Sequence, residues 1–296
     1  MSKNYNLEST LDPTLFRLVD RKGDWSHYFH EPTKSYLRAV NHIIKTGFAQ
    51  PGLLEWAKKV SPEEAERKLS EAGERGDKIH KFIDLIFNTK SVNFTRETKI
   101  WNRESKQEEV LSDDEWDAIL AFKEFWTRHE PLLVAHEISC YSLKYGYAGT
   151  TDAVIILTKN CGVKTCKCDE YIGKPGIWDW KSGGGIYESY GPQLSAYGNS
   201  ESLQKLFKTL DLKLDYSAVL RIGTNHKTTG GYQLEIYDKK ETKEHFNEFL
   251  SAITISNSSY RPFDPETDIY EIPDEIKLEI KDFKIKSKKP KKETKK

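Results

Sequence analysis

The pentapeptide Ile177-Trp178-Asp179-Trp180-Lys181 sets a carboxylate and an amine two residues apart in a stretch whose composition favours a strand. Strand alternation then sends Asp179 and Lys181 to one face and both tryptophans to the other. Burying such charges on a central strand is costly unless they pair or hold a metal, so two readings stand: an edge-strand salt bridge, or part of a reactive centre. Upstream, Gly149-Thr150-Thr151-Asp152 brings a second carboxylate just before the apolar run Ala153-Val154-Ile155-Ile156-Leu157. Asp152 is a candidate ligand, and Gly149 stands where close backbone approach is useful. Glu137 interrupts the apolar run from Leu132 to Cys140, either turned outward by alternation or held inside with a partner. Gln193 and Tyr197, four apart in a predicted helix, share one face.

Other reactive residue types invite plainer readings. Cys161, Cys166 and Cys168 form C-x4-C-x-C, which is not a standard zinc spacing. Reduced thiols are preferred, and zinc with an unidentified fourth ligand is the lesser alternative. His27-x-x-His30 lies among aromatics and reads as structural.

The elements that must position these groups follow from periodicity and punctuation. Residues 1 to about 50 show no sustained period. Ser61-Pro62-Glu63-Glu64 supplies an N-cap, a proline at N1 and first-turn acids, so a helix starts at Pro62 and is expected to run to about Ala72. After Gly73 and Gly76 a second helical stretch carries His80 and puts Ile79, Phe82, Ile83 and Ile86 on one face. Asp113 to His129 is predicted as a helix capped by Ser112. Strands are expected over 132–143, 147–157 and 176–182, with residues 158–176 as a polar, Cys-bearing insertion between the last two. A helix follows from Pro192 to about Lys208, then strands over 217–223 and 231–238 separated by turn-rich 224–230, then a helix from Lys240 to Ile255.

The ordered set Glu137, Gly149-x-x-Asp152, Asp179-x-Lys181 and Gln193-x-x-x-Tyr197 resembles the signature of the PD-(D/E)XK nuclease superfamily, specifically its RecB-type branch. Gly76-Asp77-Lys78-Ile79-His80 matches the G-x-x-x-H context of that branch. The resemblance spans about Pro51 to Ile255 and implies an α/β fold with a restriction-endonuclease-like core: a central mixed β-sheet flanked by α-helices, with a helical N-terminal part. It divides the chain into a mostly helical or irregular part (1–75), a nuclease core (76–256) and a C-terminal extension (257–296).

The roles implied are His80, Asp152 and Asp179 as metal ligands with the Trp180 carbonyl, and Lys181 as activator of water or stabiliser of charge. Glu137 would contribute to a second ion, and Gln193 and Tyr197 would support the site and contact DNA near the cleaved end. Oxygen ligands suit Mg2+ or Mn2+, and the imidazole tilts the choice toward Mn2+. The activity implied is a metal-dependent DNA exonuclease acting from ends of single-stranded or processed DNA. An endonuclease and a non-catalytic nucleic-acid-binding protein are the alternatives. Some members bind an iron-sulfur cluster through cysteines that flank the core, a placement these cysteines do not share, so no cluster is expected. Tyr145, Tyr147, Tyr187 and Tyr190 could stack bases or pack the core, with stacking expected for one or two. Gly183-Gly184-Gly185 suits a mobile loop that admits a strand.

Bulk composition frames these readings. Hydrophobic residues make up 37% and charged residues 31% of 296 residues, with no apolar run long enough for a membrane span and no apolar leader at the N-terminus. The expectation is an intracellular address: the cytoplasm of a bacterium or phage-infected cell, or an organelle matrix. Net charge is zero, but Lys284 to Lys296 holds eight lysines against the single acid Glu293. Such a tail stays solvated and attracts polyanions.

Overall fold

The computed structural model describes residues 8–9, 12–18, 26–49, 51–89, 93–102, 105–164, 166–223 and 231–258. The lysine-rich tail and the turn at 224–230 lie outside the described residues. The fold is α/β, with a mixed sheet in the order β1 (Glu8–Ser9), β2 (Leu15–Leu18), β3 (His27–His30), β4 (Ser35–Ala39), β8 (Tyr147–Ile156), β9 (Pro175–Lys181), β10 (Tyr216–Ile222) and β11 (Tyr232–Tyr237), and with β7 (Leu132–Ser142) paired to β8.

The centre of the sheet is the antiparallel pair β7 (Leu132–Ser142) and β8 (Tyr147–Ile156), followed by β9 (Pro175–Lys181). β9 runs antiparallel to β8 and parallel to β10 (Tyr216–Ile222), and β11 (Tyr232–Tyr237) closes that side. The alternation read from the pentapeptide holds. Trp178 and Trp180 pack into one apolar layer with Phe122, Phe125, Ile79 and Phe82, whereas Ile177 faces a second layer with Leu194, Val219 and Phe249.

Helices α3 (Pro62–Thr89) and α4 (Asp113–His129) cover the first layer. The Ser112–Glu115 capping box starts α4 as expected, and Glu130 ends it in a left-handed conformation before Pro131. The expected break at Gly73 and Gly76 does not occur: α3 is a single helix of 28 residues. Two glycines cost about 1 kcal/mol each in a helix interior. Burial of Ile79, Phe82, Ile83 and Phe87 holds the C-terminal half, and Arg67 ion pairs to Glu64 and Glu71 line the exposed half.

The second layer is covered by α1 (Val40–Gly47), α5 (Tyr190–Gly198), α6 (Glu201–Thr209) and α7 (Lys239–Asn257). The stretch expected as one helix from Pro192 to Lys208 is two, because Ser200 turns extended and its hydroxyl caps the Leu203 amide.

The N-terminal part is not purely helical or irregular. Besides α1 and α2 (Pro51–Ala57) it supplies β1 (Glu8–Ser9), β2 (Leu15–Leu18), β3 (His27–His30) and β4 (Ser35–Ala39), and these extend the main sheet. A small hairpin, β5 (Lys99–Asn102) with β6 (Gln107–Val110), stands apart. No helix among the described residues is long and apolar enough to cross a membrane.

One feature of the sheet positions everything below. The same edge of β8 is shared by two strands: β9 pairs with residues Ala153 to Ile156, and β4 runs parallel against Tyr147 and Ala148. Gly149 to Asp152 lie in the fork between them. There the Trp180 amide takes the Asp152 carboxylate (Oδ2, 2.6 Å) as its acceptor, and the Thr151 hydroxyl donates to the Trp178 carbonyl at 3.3 Å.

Candidate metal centre at the fork of the sheet

Four elements converge on this fork. α3 brings His80, β7 brings Glu137, β8 brings Asp152, and β9 brings Asp179, Lys181 and the Trp180 carbonyl. One ligand atom each from His80, Glu137 and Asp152 lies within 4.8 Å of the other two. His80 bridges two acceptors: Nδ1 is 3.2 Å from Asp152 Oδ1, and Nε2 is 2.9 Å from the Trp180 carbonyl oxygen. Both protons of an imidazolium are thereby engaged, so the ring stands as the local cation among acceptors that a divalent ion would use.

Glu137 reaches the site through an unusual backbone. Its φ is +48°, in the left-handed region that a residue with a Cβ adopts at a cost of roughly 1–2 kcal/mol. It falls between the pairs His136↔Ala153 and Ile138↔Thr151, opposite Asp152. The outward alternation considered from sequence is therefore broken at this residue.

Asp179 is buried and held at both oxygens. The Lys181 ammonium lies 2.5 Å from Oδ2, and the Gln193 amide donates to Oδ1 at 3.4 Å and to the Tyr197 hydroxyl at 3.1 Å. Lys181 also sits over the Tyr190 ring, 4.8 Å from its centroid. Asp179 thus adjoins the three-ligand group without being in it. Gln193 and Tyr197 share a helix face as expected, but both are buried, 6% and 2% exposed. Gln193 braces Asp179 from behind and is itself held by Tyr197.

The electrostatics follow from four carboxylates in one place. Burial, Asp152 and the neighbouring Asp84 and Asp179 push the Glu137 carboxyl up to about 8 against the pull of His80. Burial alone would depress His80, but Asp152, by charge and by hydrogen bond, together with Asp179 raises it to about 9 despite Lys181. Asp152 feels the largest push from burial, yet His80, Lys181 and the Trp180 amide leave it below its ordinary value. Burial holds Asp179 above its ordinary value even with Lys181 beside it. A site that keeps Glu137 protonated at neutral pH is short of positive charge, and oxygen donors with one imidazole fit Mg2+ or Mn2+.

Asp84 escaped the sequence reading. It lies one helical turn beyond His80 on α3 and pairs with His136 at 2.8 Å, directly beside Glu137. The signal was the i, i+4 spacing of His80 and Asp84.

Other expectations find their places. Tyr147 is buried, with its hydroxyl bound to the Ala196 carbonyl, and Tyr145 stacks on it, so both pack the core. Tyr187 is 55% exposed and edge-on to Tyr190. The glycine triplet is anchored at its first residue, where Arg221 Nε donates to the Gly183 carbonyl at 2.8 Å. His27 and His30 bond Ser26 and Thr33, as structural histidines do. A cavity of about 800 Å3 is an apolar groove between α3, α4 and β7 lined by Phe94, Trp116 and Trp126 among others. It holds none of the groups at the fork, and chemistry rather than size locates the site.

No protein-family model matches the chain, and no curated protein matches it.

Proposed function

We propose that the chain is a divalent-metal-dependent DNA nuclease that hydrolyses phosphodiester bonds from strand ends, in DNA repair, replication or phage genome processing. The observation that carries this reading is the convergence of His80, Glu137 and Asp152 within 4.8 Å, beside the Asp179–Lys181 pair.

His80, Asp152, Glu137 and the Trp180 carbonyl would hold Mg2+ or Mn2+, with Asp179 adjoining and Glu137 the natural contributor to a second ion. Such an ion supplies charge neutralisation for the phosphodiester and a water of lowered pKa. The chain's own groups do the rest. Lys181, fixed by Asp179 and the Tyr190 ring, presents an ammonium to phosphoryl oxygens as their charge grows. Gln193 spends both amide protons on Asp179 and Tyr197, which keeps the Asp179 carboxylate oriented toward Lys181. Asp152 is oriented before any ion arrives, because the Trp180 amide fixes its Oδ2. On this reading exposed Tyr187, beyond the glycine triplet, would offer its ring for a terminal base to stack on.

The test uses end-labelled linear and closed-circular single-stranded DNA in Mg2+ or Mn2+. Degradation of linear DNA alone is expected, with Lys181→Ala slower by about 100-fold or more and Asp152→Ala inactive. Cleaved circles would establish the endonuclease alternative. Binding without cleavage under all metals, or undiminished cleavage by both variants, would overturn the reading.

A further inference from the structure

We propose that Cys161, Cys166, Cys168 and His129 form a second metal centre, a structural zinc site that fastens the connection between β8 and β9 to the end of α4. The site is independent of the nuclease reading, because it shares no residue with the fork and uses soft thiolate donors rather than carboxylates.

The sequence offers three thiols and no fourth ligand, since His129 lies 32 positions before the nearest of them. The fold supplies it. His129 is the last residue of α4 and is wholly buried. The chain leaving β8 returns to it at once: the amides of Thr158 and Lys159 both donate to the His129 carbonyl, at 3.2 and 3.0 Å. Two residues after Lys159, Cys161 Sγ lies 3.5 Å from Cys168 Sγ, and one His129 ring nitrogen and both sulfurs lie within 4.8 Å of one another. Cys166, two residues before Cys168 and with its thiol titration linked to both other thiols, lies outside that group of three and would have to turn its side chain toward it to complete the set.

These separations match a coordination sphere rather than a covalent bridge. Zn–S bonds of ~2.3 Å at tetrahedral angles put sulfurs roughly 3.7 Å apart, close to the observed spacing. A disulfide needs ~2.05 Å. Three thiolates and an imidazole are a soft, four-donor set that leaves no open position, the pattern of a structural zinc site. The outer shell is also in place. His129 Nδ1 lies 3.3 Å from the Lys159 carbonyl, and the tautomer that donates there leaves the Nε2 lone pair for the ion. The long 3.4 Å contact of Nε2 with the Tyr232 hydroxyl would give way. Phe125 packs on the His129 ring, and Tyr171 and Tyr216 belong to the apolar layer in which Cys168 is buried.

The purpose is mechanical. Among its described residues, the connection from residue 157 to 174 has the 3-10 turn at Lys167–Tyr171 as its one helical element, and it joins the two strands that carry Asp152 and Asp179. A metal staple at its base fixes the far end of that hairpin.

The test is metal analysis of the full chain purified under reducing conditions from zinc-supplemented cells, with zinc-edge X-ray absorption on the same sample. One zinc per chain is expected, with a shell of three sulfurs and one nitrogen. Asp152→Ala should keep the zinc, while Cys166→Ser and His129→Ala should lose most of it. Because those variants could misfold, the absorption spectrum of the wild type decides by itself. Metal-free protein with free thiols, a Cys161–Cys168 disulfide, or a shell of oxygens and nitrogens alone would overturn the proposal.

Discussion

In the proposed centre, protonated His80 and a divalent ion would compete for the same acceptors, and His80 would become a ligand only on losing a proton, so metal binding at the fork would depend on pH. In the metal-free chain the His80 pKa is raised to about 9, so its contribution to stability is complete below its ordinary value and is lost as pH rises through 9. Glu137 behaves the same way for a different reason: its carboxyl, raised to about 8, favours the fold while protonated and opposes it once ionised. The Tm of protein in EDTA should therefore fall between pH 6 and 9, and Glu137→Gln should flatten that fall; identical slopes in both proteins would discount the buried carboxyl. Metal binding at neutral pH should release protons, visible as a calorimetric enthalpy that varies with the ionisation heat of the buffer. Affinity for Mn2+ should rise as pH increases across the same window.

At the scale of elements, the close packing of β8 against α5 is set by Gly149. A Cβ there would stand 2.5 Å from Cε1 of Tyr197, and Tyr197 is fixed by Gln193. Gly149→Ala should cost about 1–3 kcal/mol in denaturant unfolding and, on the proposed function, should slow cleavage by disturbing the Gln193–Asp179 brace; an unchanged midpoint would show that the ring can move aside. This element also shows what the sequence made legible. Asp179 and Lys181 could be assigned to one face because strand alternation needs no tertiary knowledge, and the Ser112 cap of α4 is local chemistry. The unbroken α3 was illegible at Gly73 and Gly76, since the burial that carries the helix through lies elsewhere in the chain. Ser200 hid its cap inside an apolar period. His129 could not be joined to the cysteines, nor Asp84 to Glu137, without the folded sheet.

At the scale of the molecule, the N-terminal strands were invisible because they are two to five residues long and mix polar with apolar residues. They attach to the centre by two residues of β4, Arg38 opposite Tyr147 and Ala39 opposite Ala148, and by the Arg38 contact with Ser256. Leu15, Tyr28 and Leu37 bury a small core of their own against Ala148, at ~1.5–3 kcal/mol for a fully buried side chain of this size. Deleting residues 1–39 should lower Tm and promote self-association through the bared edge of β8, while the Mn2+ affinity changes less than in Asp152→Ala. Equal losses would place the ligands under the control of the N-terminal strands.

The donors at the fork are spread along the chain from His80 to Lys181, and the brace behind them comes later still, from α5. A nascent polypeptide leaving the ribosome therefore carries no assembled centre until more than half of it has been synthesised. Whatever reaction the fork performs is therefore withheld from a half-made chain by the order of synthesis itself.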